Sequence, residues 1–174
     1  MVDILFKMLN QLNMKKSLLL LLFSGYLFLQ NIYAQDSPAK TQLSQLVDKY
    51  YGIKDALVAD NSSNAATAAG DFIKTANSID YKEVSEGNIN ILLKDATQIS
   101  TLKDISQQRL HFAALSNNMI ALVKAAKTGT APIYRAYCPM KKASWLTNEK
   151  EIKNPYYGSD MLTCGEIKET IGHN

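Results

Sequence analysis

The residues with the most chemistry in this chain are four sulfurs gathered into one stretch. Between Cys138 and Gly165 fall both cysteines of the 174 residues, the only tryptophan and two of the six methionines. The stretch opens with Cys138-Pro139-Met140 and closes with Met161-Leu162-Thr163-Cys164. Thiolate and thioether sulfurs are soft donors that select copper(I), silver or zinc over magnesium and calcium. Thioether is a poor zinc ligand, so a dithiolate with methionines beside it suits copper(I) or silver best. Cys138 and Met140 lie two apart, which on an extended segment sends both side chains to one face. Met161 and Cys164, three apart, suit one helical turn or a tight loop. Asn154-Pro155-Tyr156-Tyr157-Gly158 reads as a turn that folds the segment back on itself. The four sulfurs would then converge, with Trp145, Tyr156 and Tyr157 as a shield. His111 is the candidate nitrogen donor, and His173 sits at the end of the sequence. Two cysteines and two histidines also count out a zinc site, but without the usual short spacing within each pair.

The same residues admit plainer readings. In an oxidising compartment Cys138 and Cys164 form a disulfide, which for a loop of this size stabilises by roughly 3 kcal/mol. Met140 and Met161 are then gap-fillers in a core, and Trp145 a packing anchor. His111, beside an apolar seam, reads as an ordinary boundary histidine. Arg135, Lys141 and Lys142 read as a solvated basic face. Enzymatic motifs are missing from the sequence. There is no C-x-x-C pair, no H-E-x-x-H, no P-loop, no G-x-G-x-x-G and no nucleophile elbow. A non-catalytic protein is expected.

The compartment is read from the N-terminus. Lys15 and Lys16 precede an apolar run from Leu18 to Leu29, and Ile32-Tyr33-Ala34 ends in a small residue before Gln35. That is the pattern of a secretory signal peptide over residues 1–34, cleaved near Ala34, with Met14 as an alternative start. A membrane anchor is the rival reading. The run of about a dozen apolar residues falls short of the ~20 that span a bilayer, so no stable membrane insertion is expected after cleavage. The remaining 35–174, about 140 residues, suits a single domain. Without Asp3, Lys7, Lys15 and Lys16 the formal net charge falls from +3 to about +1. So small a charge gives no electrostatic drive toward nucleic acid or anionic lipid.

The elements that must position the sulfurs are helical. Leu43, Leu46, Val47, Tyr50, Ile53, Leu57 and Val58 recur at three and four residues, the stripe of an amphipathic helix. Asp60 to Asn64 ends it and caps a second helix over about 63–78, with Ala69, Phe72, Ile73 and Ala76 on its inner face. Ser85-Glu86 opens a third, carrying Ile89, Leu92, Ala96 and Ile99. Asp104 caps the last, with Ile105, Phe112 and Met119 seven apart. Gly129 stops it. The reading is mainly α: an up-and-down four-helix bundle with a C-terminal irregular or short-strand segment over 130–174. Ile133 to Tyr137 alternates like a strand, Pro139 disfavours helix at Cys138, and Glu166 to Ile171 is expected to make a final helical turn.

With those residues in view, the chain resembles an uncharacterised domain of exported proteins, mostly from Bacteroidetes. That domain occurs alone after a signal peptide and as the C-terminal tail of periplasmic adaptor subunits of heavy-metal efflux pumps. The likeness is carried by Gln108 to Ser116, Tyr137-Cys138-Pro139-Met140, Trp145-Leu146, Asn154 to Gly158 and Met161 to Gly165, and is tightest from Cys138 to Gly165. In the related metal-binding motifs of such adaptors His-Pro follows Cys-Pro-Met, where Lys141-Lys142 stands here. The resemblance implies periplasmic handling of copper or silver, with an efflux adaptor as partner. One expected function is therefore a periplasmic soft-metal protein that buffers the ion or hands it to an efflux system. Cys138, Met140, Met161 and Cys164 would be its ligands, with His111 as a further donor. The other is a non-catalytic helical module stapled by a Cys138–Cys164 disulfide. Its surface around Trp145, Tyr156 and Tyr157 would dock an efflux adaptor or another envelope protein.

Overall fold

A computed structural model describes residues 38–80, 84–126 and 131–171 of the chain. The expected signal peptide, its cleavage point, Gly129 and His173 lie outside the described residues. Four helices come first: α1 (Pro38–Val58), α2 (Ser62–Asn77), α3 (Glu86–Thr101) and α4 (Ile105–Ala126). Each packs on the one before it, and α4 returns to α1. The apolar stripes are the faces that meet, with Leu46, Ile53, Phe72, Ile89, Ile99 and Phe112 fully buried. Two predicted caps are present. The Asn61 side chain accepts the Asn64 N–H at 2.9 Å, and the Asp104 carboxylate accepts the Ser106 N–H at 2.9 Å. Each satisfies one of the amides that a helix start leaves unpaired. No helix among the described residues is long and apolar enough to cross a membrane.

The C-terminal segment is more regular than the sequence suggests. β1 (Ile133–Cys138), β2 (Ala143–Thr147) and β3 (Glu166–Ile171) form an antiparallel sheet in the order β2-β1-β3. The expected helical turn over 166–171 is therefore replaced by a strand. Its residues alternate between exposed Glu166, Lys168 and Thr170 and more buried Ile167, Glu169 and Ile171, a period of two. The register slips by one between Arg135–Glu169 and Ala136–Ile167, which leaves Lys168 as the extra residue of a β-bulge.

The sheet docks on the bundle through aromatic rings and two hydroxyls. Tyr50 of α1 stacks on Phe112 of α4 with centroids 5.1 Å apart. Phe112 meets Tyr156, and Tyr156 meets Trp145 of β2 edge to face at 5.9 Å. β2 is an edge strand, so every second residue turns its amide and carbonyl away from β1. Two of these outward groups are taken by tyrosines. The Leu146 N–H donates to the Tyr50 hydroxyl at 3.1 Å, and the Tyr156 hydroxyl donates to the Ser144 carbonyl at 2.5 Å. An exposed strand edge is thereby closed to other chains. The Tyr50 hydroxyl also shares a 2.7 Å hydrogen bond with Ser116 of α4. Burial holds the hydroxyls of Tyr50 and Tyr156 protonated, with their acidities pushed well above pH 10. Removing the Tyr50 hydroxyl leaves a buried amide without an acceptor, a loss of about 1–3 kcal/mol. Tyr50→Phe is therefore expected to lower the unfolding free energy by that amount, seen by circular dichroism as a lower urea midpoint with an unchanged slope.

Candidate functional site

The two cysteines are neighbours in space although 26 residues separate them in sequence. Cys138 ends β1, and its pairing with Ala143 two steps beyond the Ala136–Trp145 pair puts its side chain on the same inner face as Trp145. Cys164 follows the 3-10 turn Gly158–Met161 and precedes β3. Their sulfurs lie 3.6 Å apart. A disulfide needs about 2.05 Å, so the two thiols touch without being bonded. Cys138 is wholly buried and Cys164 half-buried.

The surroundings divide the pair into an anionic and a neutral partner. Burial pushes the Cys138 thiol up. The Lys141 amide, which donates to its sulfur at 3.4 Å, the Asn154 side chain and Cys164 outweigh that push and bring it below its ordinary value. The hydrogen bond to Cys138, with burial added, raises Cys164. The charge of a half-ionised pair therefore sits on Cys138, and Cys164 keeps its proton and donates it. Backbone amides around a sulfur favour its thiolate, the form that attacks and that binds metals.

The loop from Asn148 to Gly165 carries Cys164 to this position. Asn154, fully buried, receives the Tyr156 N–H on its side-chain oxygen at 2.8 Å and gives its side-chain N–H to the Cys164 carbonyl at 2.6 Å. Its backbone N–H donates to the Leu162 carbonyl and its own carbonyl accepts from Gly158. Gly165 follows at a φ of 150°, where a Cβ would fall 2.8 Å from the Trp145 ring and 3.1 Å from the Tyr137 carbonyl. Only glycine lets the chain pass this close.

The loop is fastened to the bundle by Arg109 of α4. Its Nε donates to the Pro155 carbonyl at 2.9 Å, and Nη2 donates to the Leu57 carbonyl at 2.9 Å and to the Asp60 carboxylate at 2.5 Å. The other Asp60 oxygen accepts the Ser159 N–H at 2.9 Å. Asp60 stands in the left-handed position just past α1, where the Asn61 N–H reaches back to the Ala56 carbonyl. Glycine is the usual occupant there. Asp60 instead contributes a carboxylate to the junction. The bonds from Ser159 and then from Arg109 hold its carboxyl down at about 2.

The other sequence-predicted residues fall in mixed places. Met140 follows Cys138 in the β1–β2 turn with 64 % of its surface exposed, so its thioether is turned largely to solvent. Met161 is partly buried at the end of the 3-10 turn, where its carbonyl accepts the Cys164 N–H at 3.1 Å. His111 points its Nδ1 at Asp95 of α3, 3.6 Å away, and sits in the α3–α4 seam rather than with the sulfurs. Trp145 and Tyr156 are 1 % and 4 % exposed, so the expected docking surface is corrected: both rings are core, and only Tyr157 keeps partial exposure. Among the described residues no three of histidine, cysteine, aspartate and glutamate converge on a metal-sized space. Of the expected donors, the structure brings together the two cysteine sulfurs. Sequence reasoning missed Asp60, Arg109 and Asn154 as their supports. The one local signal was an aspartate where a helix C-terminus calls for glycine.

Residues 46–131 match the model of a family described as a protein of unknown function (DUF3347). No curated protein and no solved structure matches the chain. The DUF3347 match spans most of the helices and stops before β1, so it leaves out Cys138 to Gly165, where the resemblance was expected to be tightest. Of the residues that hold the sulfur segment, Tyr50, Asp60, Arg109, Phe112 and Ser116 lie within the DUF3347 residues, and Asn154 and Tyr156 lie outside.

Two outcomes check the junction. Gly158 has a φ of 56°, and a Cβ there would lie 2.0 Å from the Asp60 carboxylate. Gly158→Ala is expected to destabilise by more than about 1–2 kcal/mol, the left-handed cost alone, measured by chemical denaturation. Asp60 is lowered on folding, so its contribution is present above the unfolded value near pH ~4 and is lost as pH falls toward about 2. With the carboxylate 38 % exposed, solvent screening keeps that contribution to about 1 kcal/mol or less. Asp60→Asn should flatten the stability curve between those pH values and leave its neutral limb parallel to wild type.

Proposed function

We propose that this chain is an exported, non-catalytic protein that holds one copper(I) or silver ion between Cys138 and Cys164. It would buffer the ion or pass it to an efflux system, with a periplasmic adaptor as partner. The observation that carries this reading is the 3.6 Å between the sulfurs. Two thiolates sharing one soft ion at ~2.3 Å each lie roughly 3.8–4.6 Å apart, from tetrahedral to linear geometry. An outward shift of a few tenths of an ångström at half-buried Cys164 meets the lower limit. The surroundings of Cys138 bring its thiol below the ordinary value, toward the form that a soft monovalent cation binds. The ion, when bound, would supply only its own affinity for sulfur. The chain's residues hold the thiolate, exclude water from Cys138 and leave Cys164 reachable. Met140, two residues after Cys138, and Met161, three before Cys164, would serve as supplementary thioether donors only after turning toward the pair. His111 has no part in this version of the site. The adaptor comes from the resemblance alone, and export from the pattern of residues 1–34.

A second reading shares the same distance. Closing 3.6 Å to about 2.05 Å gives a disulfide that staples the sheet to the loop and leaves a binding module without a metal. With Trp145 and Tyr156 buried, its docking surface would lie elsewhere than on those rings.

Reduced protein titrated with copper(I) against a competing chelator separates the two. One ion per chain is expected, with at least a hundredfold loss of affinity in Cys138→Ser and in Cys164→Ser. Met140→Leu and Met161→Leu should each cost less than tenfold. Equal affinity in Cys138→Ser and wild type would end the metal reading. Intact mass after alkylation of protein taken from its compartment supplies the complement. Two alkylated thiols accord with the metal site, and none before reductant accords with the staple.

A further inference from the structure

We propose that Asn154 is the positioning residue of the sulfur pair: by holding the Cys164 carbonyl it fixes the Cys164 sulfur opposite Cys138. The inference rests on the sulfur pair being the working site, whether its partner is a metal ion or an oxidant.

Cys164 belongs to no helix or strand, so no ladder of backbone bonds sets its place. Its own N–H closes a local turn on Met161, which shapes the turn but ties it to nothing else. The bond from the Asn154 side chain to the Cys164 carbonyl, at 2.6 Å, crosses ten residues of loop. Asn154 is suited to bear this load because it is fixed on every side. It is fully buried, its side-chain oxygen is occupied by the Tyr156 N–H, and both its backbone groups are bonded within the loop. The next residue, Pro155, gives its carbonyl to Arg109 of the bundle. Tyr156 is packed on Phe112 and Trp145 and bonded to the edge of β2. The position of Cys164 is thus referred through the Asn154 side chain to α4, alongside the Met140 backbone at its thiol and the β3 ladder that begins at Glu166, while Cys138 is fixed by the β1 ladder. The same side chain lies close enough to the Cys138 sulfur to favour its thiolate, so one amide serves both cysteines. A buried amide with both ends engaged has one low-energy rotamer, and such rigidity keeps two groups at a fixed separation.

The test reads the separation directly. In a glutathione redox buffer the two thiols give their hydrogens to glutathione disulfide. One intramolecular S–S bond forms, the glutathione S–S bond breaks, and two glutathione thiols leave. The equilibrium constant reports the effective concentration of one thiol at the other. Asn154→Asp keeps the oxygen that receives the Tyr156 N–H and loses the donor to Cys164. We expect it to lower that constant at least tenfold in protein that is still folded by circular dichroism, and by more than the loss of stability the same substitution causes in the Cys138→Ser, Cys164→Ser double variant. Should Asn154→Asp not fold, Asn154→Ser is read in the same way. A constant within twofold of wild type in the folded variant overturns the proposal. Copper(I) competition on the same proteins separates this claim from the previous one. A wild type that binds no copper(I), together with the tenfold redox loss in the Asn154 variant, sinks the metal reading and keeps Asn154. A wild type that binds copper(I) with affinity unchanged in a folded Asn154 variant, and with an unchanged redox constant, does the reverse.

Discussion

A buried tyrosine hydroxyl is the constraint on which the placement of the sheet depends. Tyr50 projects from α1 into the space between α4 and β2, where its oxygen takes the Leu146 N–H and shares a proton with Ser116. Apolar contact alone would press the sheet against the bundle but would tolerate sliding, because dispersion and hydrophobic burial are not directional. A hydrogen bond inside a low-dielectric interface is directional and costly to leave unmade. The Tyr50 hydroxyl therefore converts a greasy contact into one register. Tyr156 repeats the device two residues along the same strand, from the loop side. Between them the edge of β2 is held by α1 and by the loop at once.

The meeting of the two cysteines follows from that register. Cys138 faces inward because β1 pairs with β2 as it does, and the parity of the strand leaves it on the Trp145 side. Cys164 arrives from the other direction, after a loop whose length alone would make an encounter with Cys138 improbable in a flexible chain. The closure entropy is met by contacts that have nothing to do with sulfur: Arg109 on Pro155, Ser159 on Asp60, Tyr156 among the aromatic rings. By the time the fold is complete the thiols are already at 3.6 Å, and little further ordering is needed for whatever they bind or form. This is preorganisation in the sense that matters for affinity.

What could be read from the sequence was what repeats or sits locally. The helices announce themselves by apolar residues at three and four, and their caps by Asn61 and Asp104. The return of the chain over Asn154 to Gly158 is a local turn signal, and it correctly implies that Cys138 and Cys164 approach. β3 escaped because six residues offer only three alternations, and Glu166, Lys168 and Glu169 are as much at home on a helix surface. Trp145 reads from the sequence both as a packing anchor and as a docking residue, and its burial decides for the anchor; Tyr156 carries no such signal. Aromatic residues in an irregular, polar stretch look like surface, and only the bundle beneath shows that they are its outer core. Arg109 had no signal of its own. Its acceptors lie 46 to 52 residues away, and three of its bonds are to partners that no spacing rule connects.

The boundary of the DUF3347 match sharpens the relation between bundle and sulfur segment. The match ends before β1, yet the bundle inside it carries a receptor for what lies outside. Asp60 is the clearest case. A non-glycine residue in the left-handed position past a helix costs about 1 kcal/mol or more, and a bundle standing alone would gain by placing glycine there. The aspartate instead spends its carboxylate on Arg109 and on the Ser159 N–H, one partner inside the match and one beyond it. Gly158 reciprocates by having no side chain where that carboxylate must pass. Strain on one side and a missing Cβ on the other make sense only together. The helices and the sulfur-bearing segment therefore belong to one compact unit, in which residues of the bundle hold the loop that carries Cys164.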